Sequence, residues 1–210
     1  MSSLKRCIII TSYQSAGLNE FFSFTDEDYI ICADGGYHFA KAEGIRPHIV
    51  IGDFDSMKEE ISDSCEVLRL QPEKDDTDTL VCLNYGIEKG FHDFVILGGL
   101  GGRLDHTVAN LQTLSYAVDR KLNVWIIDGK NRATMIDPGS ISIPKETGTK
   151  ISLFAFSDTC EGVTITGVKY PLDDHRLTRS FPLGISNEFI TERAFIGLKT
   201  GRLLIILSKD

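Results

Sequence analysis

The sequence predicts an α/β N-terminal domain, Rossmann-like with a mostly parallel sheet, followed by an all-β C-terminal sandwich. Two observations carry this. Residues 1–135 alternate short Ile- and Val-rich runs with helical patterns, the signature of strands and crossover helices in one sheet. Residues 136–210 hold short alternating strands parted by Gly, Pro and Thr turns, and no long helical pattern. At 210 residues and 23.3 kDa the chain has room for both. No internal repeat or low-complexity linker interrupts it.

The strands of the first domain are expected at 6–11, 29–33, 49–52, 66–70, 94–97 and 123–127. All read as apolar on both faces, as buried parallel strands do. Leu80, Leu83 and Ile87 recur at helical spacing after Asp78, and Leu104, Val108, Leu111, Leu114 and Val118 form a longer stripe of the same kind. In the second domain, residues 163–168 alternate apolar and polar side chains. The runs 194–198 and 203–207 flank Lys199-Thr200-Gly201-Arg202, which predicts a hairpin.

Composition narrows the function. A net charge of -8 and a pI near 5.1 argue against a nucleic-acid polymer as partner, because phosphates would be repelled. A nucleotide stays possible, since a bound metal reverses the local charge. The five cysteines include no CxxC pair and are odd in number, so neither a disulfide framework nor a zinc site is expected. No run has transmembrane length and the N-terminus lacks a signal-peptide pattern; a cytoplasmic protein without membrane contact is expected.

Polar motifs follow four of the strands. Ala33-Asp34-Gly35-Gly36 follows the second and Gly52-Asp53-Phe54-Asp55-Ser56 the third. Lys74-Asp75-Asp76-Thr77-Asp78 comes after the fourth and opens a helix. Gly98-Gly99-Leu100-Gly101-Gly102-Arg103-Leu104-Asp105-His106 follows the fifth. The carboxyl edge of an open α/β sheet is where ligands bind, so four converging motifs outweigh any one. Gly35 and Gly36 let backbone N–H groups approach a ligand, and the glycines of 98–102 do so before a helix N-terminus able to receive a phosphate. Arg103 adds a forked, permanent positive charge. Asp53 and Asp55 leave one strand two residues apart; two carboxylates so placed are costly unless a cation neutralises them. Taken alone, Asp75 reads as a helix N-cap and Asp78 as a first-turn acid. Taken with the rest, they favour a magnesium-phosphate site. GxxxxGK[ST], GxGxxG, HExxH and GxSxG are all absent. The five histidines show no metal-ligand spacing; His106, within the Gly-rich helix start, reads as a hydrogen-bonding partner rather than a catalyst.

These four motifs, in this order and spacing, resemble the thiamine pyrophosphokinase (thiamine diphosphokinase) family across nearly the whole chain. Gly184-Ile185-Ser186-Asn187-Glu188 stands in the place of that family's late Ser-Asn element. The resemblance implies transfer of pyrophosphate from ATP, the co-substrate, to thiamine, giving thiamine diphosphate and AMP. It implies Mg2+ on Asp53, Asp55 and Asp78, with Asp75 close by, and catalytic roles for Asp75, Asp78 and Arg103. ATP is expected at Asp34, Gly35, Gly36, Ser56, Gly101, Gly102, Arg103, Asp105 and His106, and thiamine at Ser186 and Asn187. It implies an ATP/Mg-binding domain over 1–135, a thiamine-binding domain over 136–210, and a homodimer with active sites at the subunit interface. Some relatives set a last-strand tryptophan against the thiamine pyrimidine; residues 201–208 here contain no aromatic, and the one tryptophan is Trp125. Two other classes fit the same motifs: a metal-dependent phosphotransferase acting on a pterin or another alcohol, and a non-catalytic sensor of nucleotide or thiamine.

Overall fold

The Ile- and Val-rich runs become strands because β-branched side chains are stiff at χ1 and pack well on a pleated surface. The structure is a computed structural model that describes residues 6–55, 61, 65–71 and 76–210. Packing divides the chain into two units, Met1–Gly129 and Lys130–Asp210.

The first unit runs β1 (Cys7–Ile10), α1 (Leu18–Phe21), β2 (Tyr29–Ala33), α2 (Gly36–Ala42), β3 (Ile49–Gly52), β4 (Glu66–Arg69), α3 (Asp78–Glu88), β5 (Asp93–Leu97), α4 (Leu104–Asp119) and β6 (Asn123–Asp128). Among the described residues its six strands lie in the order β6-β5-β1-β2-β3-β4, and their pairings with one another are parallel. From β1 the chain builds outward through β2, β3 and β4, then returns to place β5 on the other side. The strand order therefore reverses between β1 and β5, and a crevice opens there at the carboxyl edge.

Alternation along the strands sorts the core. Ile8, Ile10, Cys32, Val50, Val95, Leu97 and Ile127 share one face, covered by Leu18, Tyr37 and Ala40 from α1 and α2. On the other face α3 comes so close that a Cβ on Gly86 would sit 2.5 Å from the Phe94 ring and 3.0 Å from Cys7 Sγ. Tyr116 of α4 donates its hydroxyl to Asn84 of α3 at 2.7 Å, joining the two helices. Cys7 and Ile8 to Ile10 are wholly buried; each such side chain contributes roughly 1.5–3 kcal/mol relative to exposure.

The second unit holds β7 (Asn131–Ile136), β8 (Gly139–Pro144), β9 (Thr149–Ala155), β10 (Thr159–Thr166), β11 (Leu172–Thr178), β12 (Gly184–Glu188), β13 (Arg193–Leu198) and β14 (Leu203–Lys209). It forms two antiparallel arrays, β12-β9-β14-β7 and β11-β10-β13-β8. Both present apolar side chains inward, among them Ile151, Leu153 and Leu203 from one and Val163, Ile165 and Ile196 from the other. The described chain is thus mainly sheet with few helices.

Three expectations need correction. The run at 66–70 is not a buried strand: among the described residues β4 pairs with β3 alone, and Val67 and Leu68 remain 39% exposed. In α4 the buried face is Asn110, Thr113, Leu114, Ala117 and Val118. Leu104 and Val108 point outward, because the first turn of α4 emerges at the crevice rather than over the sheet. The runs 194–198 and 203–207 do not form a hairpin, for β13 pairs with β8 and β10 while β14 pairs with β7 and β9. Thr200 bridges to Glu161, and Gly201, at φ +95, packs against Thr159 O, so the turn carries the chain from one array to the other.

Candidate active site

The crevice between β1 and β5 is a cleft of about 290 Å³. Thr11, Ser12 and Tyr13 form one wall, Gly99, Gly101 and Arg103 another; His106 and Asn110 of α4 and Thr79 of α3 complete it. Among the expected site residues, Gly101, Arg103 and His106 line this cleft. The wall after β1 did not figure in the sequence reading. Ser12-Tyr13-Gln14-Ser15 is a polar segment leaving a strand end, so the criterion that selected the other four motifs also reaches this one.

The Gly-rich loop is held from inside. Gly98, Gly99, Gly101 and Gly102 all adopt positive φ, from +63 to +146, which an L side chain resists. The N–H groups of Gly98, Gly99, Leu100 and Gly101 donate to Ile127 O (2.8 Å), Tyr13 O (3.1 Å), Asp128 Oδ2 (3.0 Å) and Thr107 Oγ1 (3.1 Å). Asn110, buried, returns a hydrogen bond to Gly99 O at 3.0 Å. Four successive amides are therefore committed within the protein. Gly102 N–H, the next along, has no such partner among the described residues and leads into the first turn of α4.

Arg103 is the N-cap residue of α4 and its side chain is 74% exposed. Its guanidinium grips Asp105 with both arms, Nη2–Oδ2 at 2.6 Å and Nε–Oδ1 at 3.2 Å. That hydrogen bonding holds the Asp105 carboxyl below the usual carboxylate range and raises the guanidinium. Asp105 Oδ1 also accepts the His106 N–H at 3.0 Å. The fork is solvent-facing, so a phosphate can replace the carboxylate between its arms.

The acidic motifs sit at the neighbouring strand ends. Asp34, after β2, has φ 45 and accepts the Phe54 N–H on Oδ1 at 3.2 Å. Asp53, after β3, accepts the Asp55 N–H at 3.1 Å in an Asx turn. Between the two acids Phe54, at φ 62, drives its ring into the core, 8% exposed, under the Arg69 guanidinium. An aromatic anchored inward between two acids keeps both carboxylates at the surface. Strained backbone of this kind collects at functional sites. Thr77 caps α3, accepting the Leu80 N–H, which leaves Asp78 as the first helical residue. Ser56 and Asp75 lie outside the described residues. Asp53, Asp55 and Asp78 offer hard carboxylate oxygens only, the donor chemistry that Mg2+ prefers, and so fit that ion. Among the described residues no three acidic, histidine or cysteine side chains already enclose a metal position.

Gly36 carries a packing requirement of its own. A Cβ there would lie 2.1 Å from Ile10 O and 3.1 Å from Thr11 O. The missing side chain lets α2 close onto the end of β1, a packing requirement at this position. Gly35 has more room, its nearest neighbour being Ser12 Cβ at 3.4 Å.

In the second unit Ser186 is exposed with φ 55, and its N–H donates to Ser152 Oγ at 3.0 Å. Asn187 is buried, and its amide clasps Tyr170: Nδ2 donates to Tyr170 O (2.7 Å) while Oδ1 accepts Tyr170 N–H (3.0 Å) and Glu188 N–H (3.0 Å). Tyr170 and Asn187 border an apolar pocket of about 180 Å³ with Ile151, Leu153, Leu172 and Ile185.

A parallel sheet whose switch-point crevice is walled by a Gly-rich loop, a guanidinium and helix starts makes the first unit an α/β fold with a cleft where such sheets take ligands, and a second, antiparallel unit follows it in the chain. The chain belongs to the thiamine pyrophosphokinase family. The family description "Thiamin pyrophosphokinase, catalytic domain" matches residues 23–126, and "Thiamin pyrophosphokinase, vitamin B1 binding domain" matches residues 140–203. Thiamine pyrophosphokinase of Bacillus subtilis (strain 168) is 36% identical over 194 residues, covering 89% of this chain and 91% of that protein. The crystal structure of thiamine pyrophosphokinase from Bacillus subtilis superposes with a TM-score of 0.90 at 30% identity, covering 98% of this chain and 100% of the other. That from Geobacillus thermodenitrificans does so with a TM-score of 0.84 at 27% identity and 98% coverage of each chain.

Proposed function

We infer that this protein is a thiamine diphosphokinase, an enzyme that moves an intact pyrophosphoryl group from ATP to the hydroxyethyl oxygen of thiamine and releases AMP. The observation that carries the reading is similarity to the family along both units, with one family description falling in each. The α/β unit, read as Rossmann-like, takes ATP in the cleft; the all-β unit, read as a sandwich, supplies thiamine contacts through Ser186. Asn187 contributes by fixing the strand that carries Ser186 against Tyr170.

The chemistry is an in-line displacement at the β-phosphorus, and most of the protein's work is positioning and charge neutralisation. Arg103 exchanges Asp105 for a phosphate oxygen, and Gly102 N–H faces the same group. Asp34, with Gly35, borders the nucleotide from the β2 end. Asp53, Asp55 and Asp78 would hold Mg2+, which when bound neutralises phosphate charge as a Lewis acid. An aspartate of the 75–78 segment accepts the alcohol proton. The five free thiols fit a reducing, cytoplasmic setting, and burial pushes the Cys7 and Cys32 thiols up, so both stay protonated. Among the described residues no helix is long and apolar enough to cross a membrane. A homodimer with active sites at the subunit interface completes the reading; sedimentation at a single-chain mass of 23.3 kDa would count against that part.

The test is product analysis with ATP, Mg2+ and thiamine. Thiamine-dependent AMP and thiamine diphosphate, abolished by EDTA, are expected. ADP in place of AMP would mean attack at the γ-phosphorus and would sink the reading.

A further inference from the structure

We propose that Asp128 is a positioning residue for the nucleotide site: its buried carboxylate clamps the loop after β1 to the Gly-rich loop after β5. This rests on the assignment of the cleft to ATP. Asp128 ends β6, on the far side of β5 from β1, and is 0% exposed. Three donors from two loops converge on it. Ser15 gives its N–H at 2.9 Å and its hydroxyl, both to Oδ1, and Leu100 gives its N–H to Oδ2 at 3.0 Å. Among the described residues no cation pairs with it, and hydrogen bonds hold the carboxylate, an arrangement that is rigid when fully satisfied.

The two clamped loops are the two walls of the cleft. Tyr13 lies two residues before Ser15, and its ring packs on Gly101 and Gly102, within 2.9 Å of where their Cβ atoms would stand. The Gly-rich loop has almost no side chains of its own to pack, so hydrogen bonds must set its position. Of its four committed amides, Leu100 N–H alone reaches a charged acceptor, and charge-assisted bonds are about twice as strong as neutral ones. Gly129, the next residue, has φ +51 and leaves space for Ser15 Oγ where a Cβ would intrude at 2.5 Å. The segment 128–129 is thus shaped to receive Ser15. Moving Leu100 moves Gly102 and the N-cap Arg103, which lead into α4.

Asp128→Asn tests this, because an amide cannot accept on both sides. With its oxygen on Ser15, its NH2 faces Leu100 N–H, and that amide loses its acceptor. Well below the melting temperature, the KM for ATP and the Kd for a non-hydrolysable ATP analogue are expected to rise on the order of tenfold, with the KM for thiamine within about twofold of wild type. Ser15→Ala keeps the carboxylate and removes one donor; it should fold in any case and give a smaller shift, about threefold, confined to the nucleotide. If both variants melt earlier yet bind the ATP analogue as wild type does, Asp128 is only a stability element and the proposal falls; should Asp128→Asn not fold, unchanged nucleotide binding in Ser15→Ala overturns it alone. Wild-type protein that binds the analogue but forms no thiamine diphosphate would instead sink the assigned activity, leaving the clamp testable by binding.

Discussion

At the scale of single residues, the site is organised by what each side chain is already bonded to. Asp53 is turned by Asp55 N–H, Arg103 is held by Asp105, and Asp34 takes Phe54 N–H. Removing one carboxylate of the proposed Mg2+ set should cost ~10^3-fold or more in kcat. For Asp55→Asn we therefore expect that loss with an unchanged urea midpoint, because the side chain is exposed. Near-normal turnover would remove Asp55 from the set. The Arg103–Asp105 fork makes a prediction about pH. Asp105 is depressed in the folded state, so its contribution to stability exists above the ordinary carboxylate range and is lost as pH falls through the lowered value. Because both partners are exposed, that contribution is screened. Asp105→Asn should leave the neutral-pH Tm nearly unchanged, and a fall of more than about 5 °C would contradict this. Asp53, Asp55, Arg103 and Asp105 could be singled out in the sequence because each follows a glycine by one or three positions after an apolar run. Asp128 could not: its partner Ser15 lies 113 positions away, and nothing local marks a carboxylate that hydrogen-bonds across a sheet.

At the scale of elements, the central strands could be read directly and the helices less so. β1, β2 and β3, and β5 after Asp93, are unbroken apolar runs, and all but the first residues of β2 and β5 are buried. β4 carries Val67 and Leu68 yet is exposed, since its place outside β3 is decided by strand order and not by composition. In α4 the apolar stripe and the buried face part at the first turn, where Leu104 and Val108 give way to Asn110 reaching Gly99. At the start of α2, Gly36 is needed for closure on β1, a packing requirement that the Gly-Gly pair does not reveal in the sequence. Gly36→Ala should destabilise by about 3 kcal/mol through overpacking against Ile10 O, seen as a lower urea midpoint. A neutral substitution would mean that α2 moves away from β1 at little cost.

At the scale of the whole molecule, the two units can be followed separately. Trp125 is the one tryptophan and packs on the core of the first unit. Its fluorescence should report unfolding of Met1–Gly129, and Mg2+-ATP should raise that midpoint by mass action, about 2.7 kcal/mol at a hundredfold excess over Kd. A midpoint insensitive to nucleotide would place ATP elsewhere. The sequence by itself determined the two kinds of sheet, the four motif-bearing strand ends and the family, because apolar periodicity and glycine–carboxylate spacing are local properties. Only the tertiary structure decided which strand stands at an edge, that β13 and β14 part into different arrays, and that Asp128 joins the two walls of the cleft. Those depend on strand order and on contacts between residues far apart in the chain, which no window of sequence contains.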